Sequence, residues 1–133
     1  MTSAPYVLLF LAFCLVYVPR LFVAREQARM PEGYDNAHPR QQQARLDGFG
    51  ARAQAAHLNG FEAFAPFAAG VLASLHAGVE ARSIVWLGTV FVAARSVYVA
   101  LYLANRSTAR SAVWTVGFLA TCALLLAPVL RGG

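Results

Sequence analysis

The sequence contains no lysine. All 11 basic residues are arginines, set against six acids, for a formal charge of +5. Charge of either sign is scarce: 13% of the 133 residues, where a soluble domain carries about 25%. That scarcity excludes an ordinary water-soluble domain. Disorder is excluded as well, because disordered chains are poor in hydrophobic residues, and this one is 59% hydrophobic with a mean hydropathy of +0.53. Cysteine occurs only at Cys14 and Cys122, both inside apolar segments. There is no disulfide framework and no Cys/His metal spacing, so both cysteines read as packing residues and no metal is expected. No stretch outside the apolar segments mixes basic with aromatic residues, which argues against a nucleic-acid partner. Internal repeats and low-complexity tracts are also lacking.

What is present is a set of four apolar segments, at about residues 4–24, 51–77, 83–104 and 111–130. Each is long enough to cross a bilayer, which takes about 20 helical residues. The first has no basic n-region and no clear cleavage site, so it reads as a span rather than a signal peptide. Pro19 and Arg20 mark a kink or an end near its close. A polar connection, residues 25–50, carries Pro31, Gly33, Pro39, Gly48 and Gly50 and reads as irregular. The other two connections are short, which favours antiparallel neighbours. The expected fold is all-α: a single-domain integral membrane four-helix bundle, up-down in topology, in contact with membrane lipid. Arginines in the first and third connections (Arg25, Arg29, Arg40, Arg45, Arg106, Arg110) outnumber Arg82 and Arg131 opposite. By the positive-inside rule those connections are cytoplasmic and both termini lie outside.

Polar groups inside spans cost roughly 2.5–3.5 kcal/mol each on insertion scales and rarely face lipid. Arg52, His57, Asn59, Glu62 and Arg95 therefore need an explanation. At 100° per residue, Arg52, Asn59 and Glu62 share a stripe of one helix, and His57 points away from it. On the next span Arg95, Tyr98, Tyr102, Asn105 and Arg106 share a face. Glu62 lies about 15 Å along its helix from Arg52, and Arg95 lies at similar depth, so the two can pair within or between subunits. Such a pair either holds the bundle together or belongs to a cytoplasm-facing cavity for an anionic, hydrogen-bonding ligand. Ser107 or Thr108 can cap the last span, placing Arg110 in its first turn. Arg110 is then either a snorkelling interfacial arginine or, with the helix N-terminus, a stabiliser of a thiolate or another anion.

Arg52 to Phe67 reads RAQAAHLNGFEAFAPF. This stretch resembles the signature of the MAPEG family, the membrane-associated proteins in eicosanoid and glutathione metabolism, in which Asn-x-x-Glu precedes Pro-Phe. Here those residues are Asn59, Glu62, Pro66 and Phe67. Arg95, Tyr98 and Tyr102 look like the family's positions on the third span. Thr108-Ala109-Arg110-Ser111 looks like the entrance to its fourth, and Arg25 falls near an arginine at the end of its first. The similarity covers essentially the whole chain and suggests a short, bacterial-type member of the inner membrane. It implies a homotrimer with sites between subunits, near the cytoplasmic face. It further implies glutathione as co-substrate and conjugation to lipophilic electrophiles or reduction of hydroperoxides. Arg110 and Ser111 would be the catalytic pair, with Arg25, Arg52, Asn59, Glu62, Arg95, Tyr98 and Tyr102 binding glutathione.

The chain departs from the family's synthases at Ala55 and Leu58, where those carry arginines. It also departs at Ala63, where the leukotriene synthase has tyrosine. His57 is expected at an interface or behind the site. Two other functions compete with the enzyme. A small multidrug exporter also has four spans, but it needs a carboxylate in the first span, and this one has none. A non-catalytic membrane scaffold of the same fold is favoured by the missing arginines.

Overall fold

The computed structural model describes residues 3–131. Five helices follow one another: α1 (Ala4–Ala28), α2 (Pro39–Ala44), α3 (Gly48–His76), α4 (Ala81–Leu103) and α5 (Ser107–Arg131). No strand occurs among the described residues. Four of the helices, all but the six-residue α2, are long and apolar enough to cross a membrane. The shortest has 23 residues, about 35 Å at 1.5 Å per residue, against a hydrocarbon core of about 30 Å. The chain is thus an all-helical membrane bundle. Its least apolar span is α3, with a mean hydropathy of 1.3 against 1.8 to 2.4 for the others, and α3 carries most of the polar residues singled out above.

The long helices end by local chemistry. At the close of α3, Gly78 takes φ +68°. Its N–H bonds to Leu75 O and that of Val79 to Ser74 O, which satisfies carbonyls the helix leaves unpaired. Asn105 does the same after α4: its φ is 58°, its N–H reaches Tyr102 O, and the Arg106 N–H reaches Leu101 O. Asparagine tolerates this left-handed conformation better than most residues with a Cβ. The turn brings α5 back alongside α4 after a few residues. Ser107 is already helical, so it does not cap α5 from outside. Arg110 still falls in the first turn, its N–H bonded to Arg106 O. Pro19 neither ends nor breaks α1, which continues to Ala28.

Around the bundle the order is α1, α3, α5, α4, with α3 touching α4 across the diagonal and α1 not meeting α5. Consecutive long helices run antiparallel. Phe67 of α3 stacks flat on Phe91 of α4, with ring centroids 3.8 Å apart and planes 4° from parallel. Ala12, Val71, Ile84, Ala120 and Leu124 pack around that pair. Small residues let the backbones approach, as is usual where lipid removes the hydrophobic drive to associate. A Cβ on Gly60 would sit 3.3 Å from Val16 Cα, and one on Gly70 would sit 3.0 Å from Leu124 Cβ. Ser74 Oγ donates to Leu124 O at 2.7 Å inside the bundle.

The α1–α3 connection is without helix or strand over residues 29–38, as its proline and glycine predict, and then forms the short helix α2. Gln27 and Gln42 are both fully buried. Gln27 Nε2 donates to Gln42 Oε1 (3.0 Å) and to Pro39 O (3.1 Å), while its Oε1 accepts from Arg20 (3.0 Å). Gln42 Nε2 donates to Gly33 O at 2.6 Å, and its Oε1 also accepts from the Asp35 N–H. Two amides thereby fasten α2 against the end of α1. Exposed ion pairs Arg29–Glu26 and Arg45–Glu32 flank this staple.

Candidate functional site

The site grows from one turn of α3. Asn59 and Glu62 are three residues apart and so face the same way. Asn59 Nδ2 donates to Glu62 Oε2 at 2.9 Å. Arg95 of α4 donates through Nη1 to Asn59 Oδ1, also at 2.9 Å. Of the two pairings expected for Glu62 and Arg95, the one within a subunit is not formed: inside one chain they make no ion pair among the described residues, and Asn59 stands between them. Helical spacing placed both charges at one depth. It could not show that the shorter Asn59 amide reaches Arg95 first.

From Arg95 the arrangement continues towards the loop end of the bundle. Its guanidinium carbon lies 4.0 Å from the centre of the Tyr98 ring. Tyr98 meets Tyr102 edge to face at 5.6 Å. The Arg110 guanidinium, from the first turn of α5, lies 4.2 Å from the Tyr102 ring centre. Glu62, Asn59, Arg95, Tyr98, Tyr102 and Arg110 thus form one continuous ladder across α3, α4 and α5. Arg95 and Tyr98 are buried, at 5% and 4% exposure, whereas Glu62 is exposed on the outer face of the bundle. Gly117 of α5 packs over Arg95, and a Cβ there would lie in ordinary contact with the arginine Cδ at 3.8 Å.

The remaining sequence candidates sit elsewhere. Arg52 donates through Nε to Leu103 O at 3.2 Å and so caps the end of α4. It is on the expected stripe but is not a rung of the ladder. Ser111 is exposed and donates its hydroxyl to Ser107 O one turn back. Arg25 is exposed on the last turns of α1, outside the ladder of a single chain. His57 Nδ1 lies 2.8 Å from Val16 O, and its ring meets those of Phe61 and Tyr17. It joins α3 to α1, on the side away from Arg95.

Beside the ladder a cleft of about 220 Å³ lies between α3, α4 and α5. Asn59, Glu62 and Arg95 line its polar end; Phe91, Trp114 and Phe118 are among its apolar walls. Cys122 also lines it. Both cysteines are exposed on the outside of the bundle, which corrects their reading as packing residues within one chain. The α5 wall escaped the sequence reading because a span without charge offers nothing that stands out. Its available signal was the four-residue spacing of Trp114 and Phe118, whose rings stack at 5.2 Å and 8°.

The family model that matches the chain is that of the MAPEG family, over residues 4–130. No curated protein and no solved structure matches it significantly. The family match spans the four membrane helices from the first turn of α1 to the last of α5, and the chain belongs to the MAPEG family.

Proposed function

We propose that the protein is a membrane-embedded, glutathione-dependent transferase or peroxidase acting on lipophilic electrophiles or hydroperoxides. The observation that carries this reading is the ladder, which links an outward-facing carboxylate at membrane depth to an arginine at a helix N-terminus. Family membership supports the glutathione-related chemistry. In this reading three copies assemble, with the loop end of each bundle towards the cytoplasm of a bacterial cell and both termini outside.

Glutathione presents two carboxylates, one ammonium and a thiol. Glu62 has one carboxylate oxygen beyond its Asn59 bond and accepts the ammonium. Arg95 is largely buried behind the cleft's polar end and orients Asn59 and Tyr98. A copy of Arg25 from a neighbouring subunit supplies a guanidinium for a carboxylate, which suits bidentate recognition, and Tyr98 and Tyr102 line the path to the thiol. Arg110 is half-buried on Tyr102 and stands where α5 exposes unpaired N–H groups. A cation and a helix N-terminus together favour thiolate over thiol. The thiolate attacks an electrophilic carbon, a carbon–sulfur bond forms, and the leaving group departs with the electron pair. Ser111 is placed one residue along to donate to developing charge once it releases Ser107 O.

Purified protein should conjugate glutathione to 1-chloro-2,4-dinitrobenzene or reduce a lipid hydroperoxide. Arg110→Ala should lower that rate by about a hundredfold to a thousandfold while leaving glutathione bound. An unchanged rate in Arg110→Ala would remove Arg110 from the mechanism, and no rate above background in the wild type would favour the scaffold reading that Ala55 and Leu58 suggest.

A further inference from the structure

A second feature lies at the opposite end of the bundle from Arg110, where α1 begins at Ala4 and α4 at Ala81. These two helices close on each other where Leu8 meets Gly88: a Cβ on that glycine would lie 2.8 Å from Leu8 Cδ1. A furrow runs along the outside of this seam. Its mouth, about 690 Å³, is lined by Glu80, Arg82, Ser83 and Trp86, and its deeper part, about 380 Å³, by Val7 and Leu8; Val85 and Thr89 belong to both. Glu80 and Arg82 are exposed, and among the described residues neither is in an ion pair. Residues two apart at a helix start do not face each other, so both charges stay available at the mouth. Trp86 follows at 67% exposure. Thr89 turns its hydroxyl back to Val85 O at 2.8 Å, which leaves the stretch beyond Trp86 largely apolar.

This gradient matches half a bilayer. Glu80 and Trp86 are six residues apart, about 9 Å along the helix, and the interfacial layer on each side of the hydrocarbon is about 5–8 Å thick. With the charges among the headgroups, Trp86 stands at the hydrocarbon edge, where tryptophan is enriched. We propose that the furrow is a selective site for phosphatidylethanolamine. That headgroup carries a phosphate and, two carbons away, a primary ammonium, so its two charges complement Arg82 and Glu80. Arg82 donates to the phosphate and the ammonium donates to Glu80, both as charge-assisted hydrogen bonds. The Trp86 indole lies at ester level, and one acyl chain follows Val85 and Val7 between α4 and α1. The same pattern selects against other phospholipids. Choline has the charge but no N–H to donate, and a glycerol headgroup sets an anion beside Glu80 with no cation to offset it. The site shares no residue with the ladder and stands whether or not a thiol binds at Arg110.

Trp86 and Trp114 are the two tryptophans, so the full chain with Trp114→Phe leaves Trp86 emission as a reporter inside the furrow. The test places that chain in bilayers of phosphatidylcholine brominated near the ester end of its acyl chains, where bromine quenches an indole it touches. The brominated lipid is then replaced stepwise by unbrominated phosphatidylethanolamine, phosphatidylcholine or phosphatidylglycerol of one chain length. Phosphatidylethanolamine is expected to restore the emission at about threefold lower mole fraction than the other two, the size of effect that partly hydrated charge pairs give. Glu80→Gln should bring it level with phosphatidylcholine. Arg82→Gln should weaken phosphatidylglycerol further, because Glu80 then faces its phosphate alone. Trp114, read in Trp86→Phe, should show no preference. Equal recovery by phosphatidylethanolamine and phosphatidylcholine would overturn the proposal and leave an unselective lipid contact. So would a preference that survives in Glu80→Gln, or the same preference reported by Trp114.

Discussion

The guanidinium of Arg110 lies 4.2 Å from the centre of the Tyr102 ring, one helix stacked on the next across the α4–α5 turn. The tyrosine ring holds the arginine over the path that leads to Glu62. Its face, not its hydroxyl, makes the contact. Tyr102→Phe should therefore keep the arginine in place and retain most activity. Tyr102→Leu removes a cation–π contact of about 0.5–2 kcal/mol and should lower the conjugation rate by roughly fivefold to tenfold. A steady-state comparison of the two variants decides whether the ring is the support.

Asn59 is the bridge between two charges. Asn59→Leu leaves the nearly buried Arg95 guanidinium without its carbonyl partner. An unpaired buried donor costs about 1–3 kcal/mol, more if charged. The melting temperature in detergent should fall by several degrees. Asn59→Gln keeps the amide and should recover part of the loss.

Glycines divide by what surrounds them. Gly70→Ala places a methyl 3.0 Å from Leu124 Cβ, a position fixed by helix packing, and should cost about 1–3 kcal/mol of overpacking. Gly88→Ala meets the Leu8 Cδ1 atom at 2.8 Å. That is the end of a rotatable side chain, so the cost should be smaller despite the shorter distance. Thermal unfolding of the two variants side by side tests the ordering.

The connection between α1 and α3 should loosen in acid. The His38 backbone N–H, then that of Ala37, hold the Asp35 carboxyl below its ordinary range. Glu32 is held low by its own backbone N–H and by Arg45. A depressed carboxylate stabilises the folded segment above its unfolded pKa, and that contribution is lost as pH falls through the lower folded value. Amide exchange over residues 29–45 should be flat from pH 7 to 5, after correction for intrinsic rates, and should rise below about pH 4. Glu32→Gln with Asp35→Asn should flatten the acid limb.

The four spans were legible because a bilayer imposes one length and one composition on any helix that crosses it. Asn59, Glu62, Arg95, Tyr98, Tyr102 and Arg110 were legible for a related reason: polar groups at membrane depth stand out against an apolar background. What the spacing hid was side-chain reach. It put Glu62 opposite Arg95, and the structure puts Asn59 between them. It put Arg52 on the same stripe, and the side chain turns to Leu103 O instead. The Gln27–Gln42 staple was invisible, because neutral amides 15 residues apart carry no periodicity and a run of Pro, Gly and Arg resembles an open loop. Trp114 and Phe118 were hidden for the opposite reason, as apolar residues in an apolar span.

The central claim is that Glu62 and the ladder behind it form a glutathione site, and calorimetric titration of glutathione into the purified, detergent-solubilised protein tests it most directly. The account predicts saturable binding in the micromolar to millimolar range, weakened about tenfold or more by Glu62→Gln and little changed by Arg110→Ala. No heat of binding at millimolar glutathione, or wild-type affinity in Glu62→Gln, would contradict it.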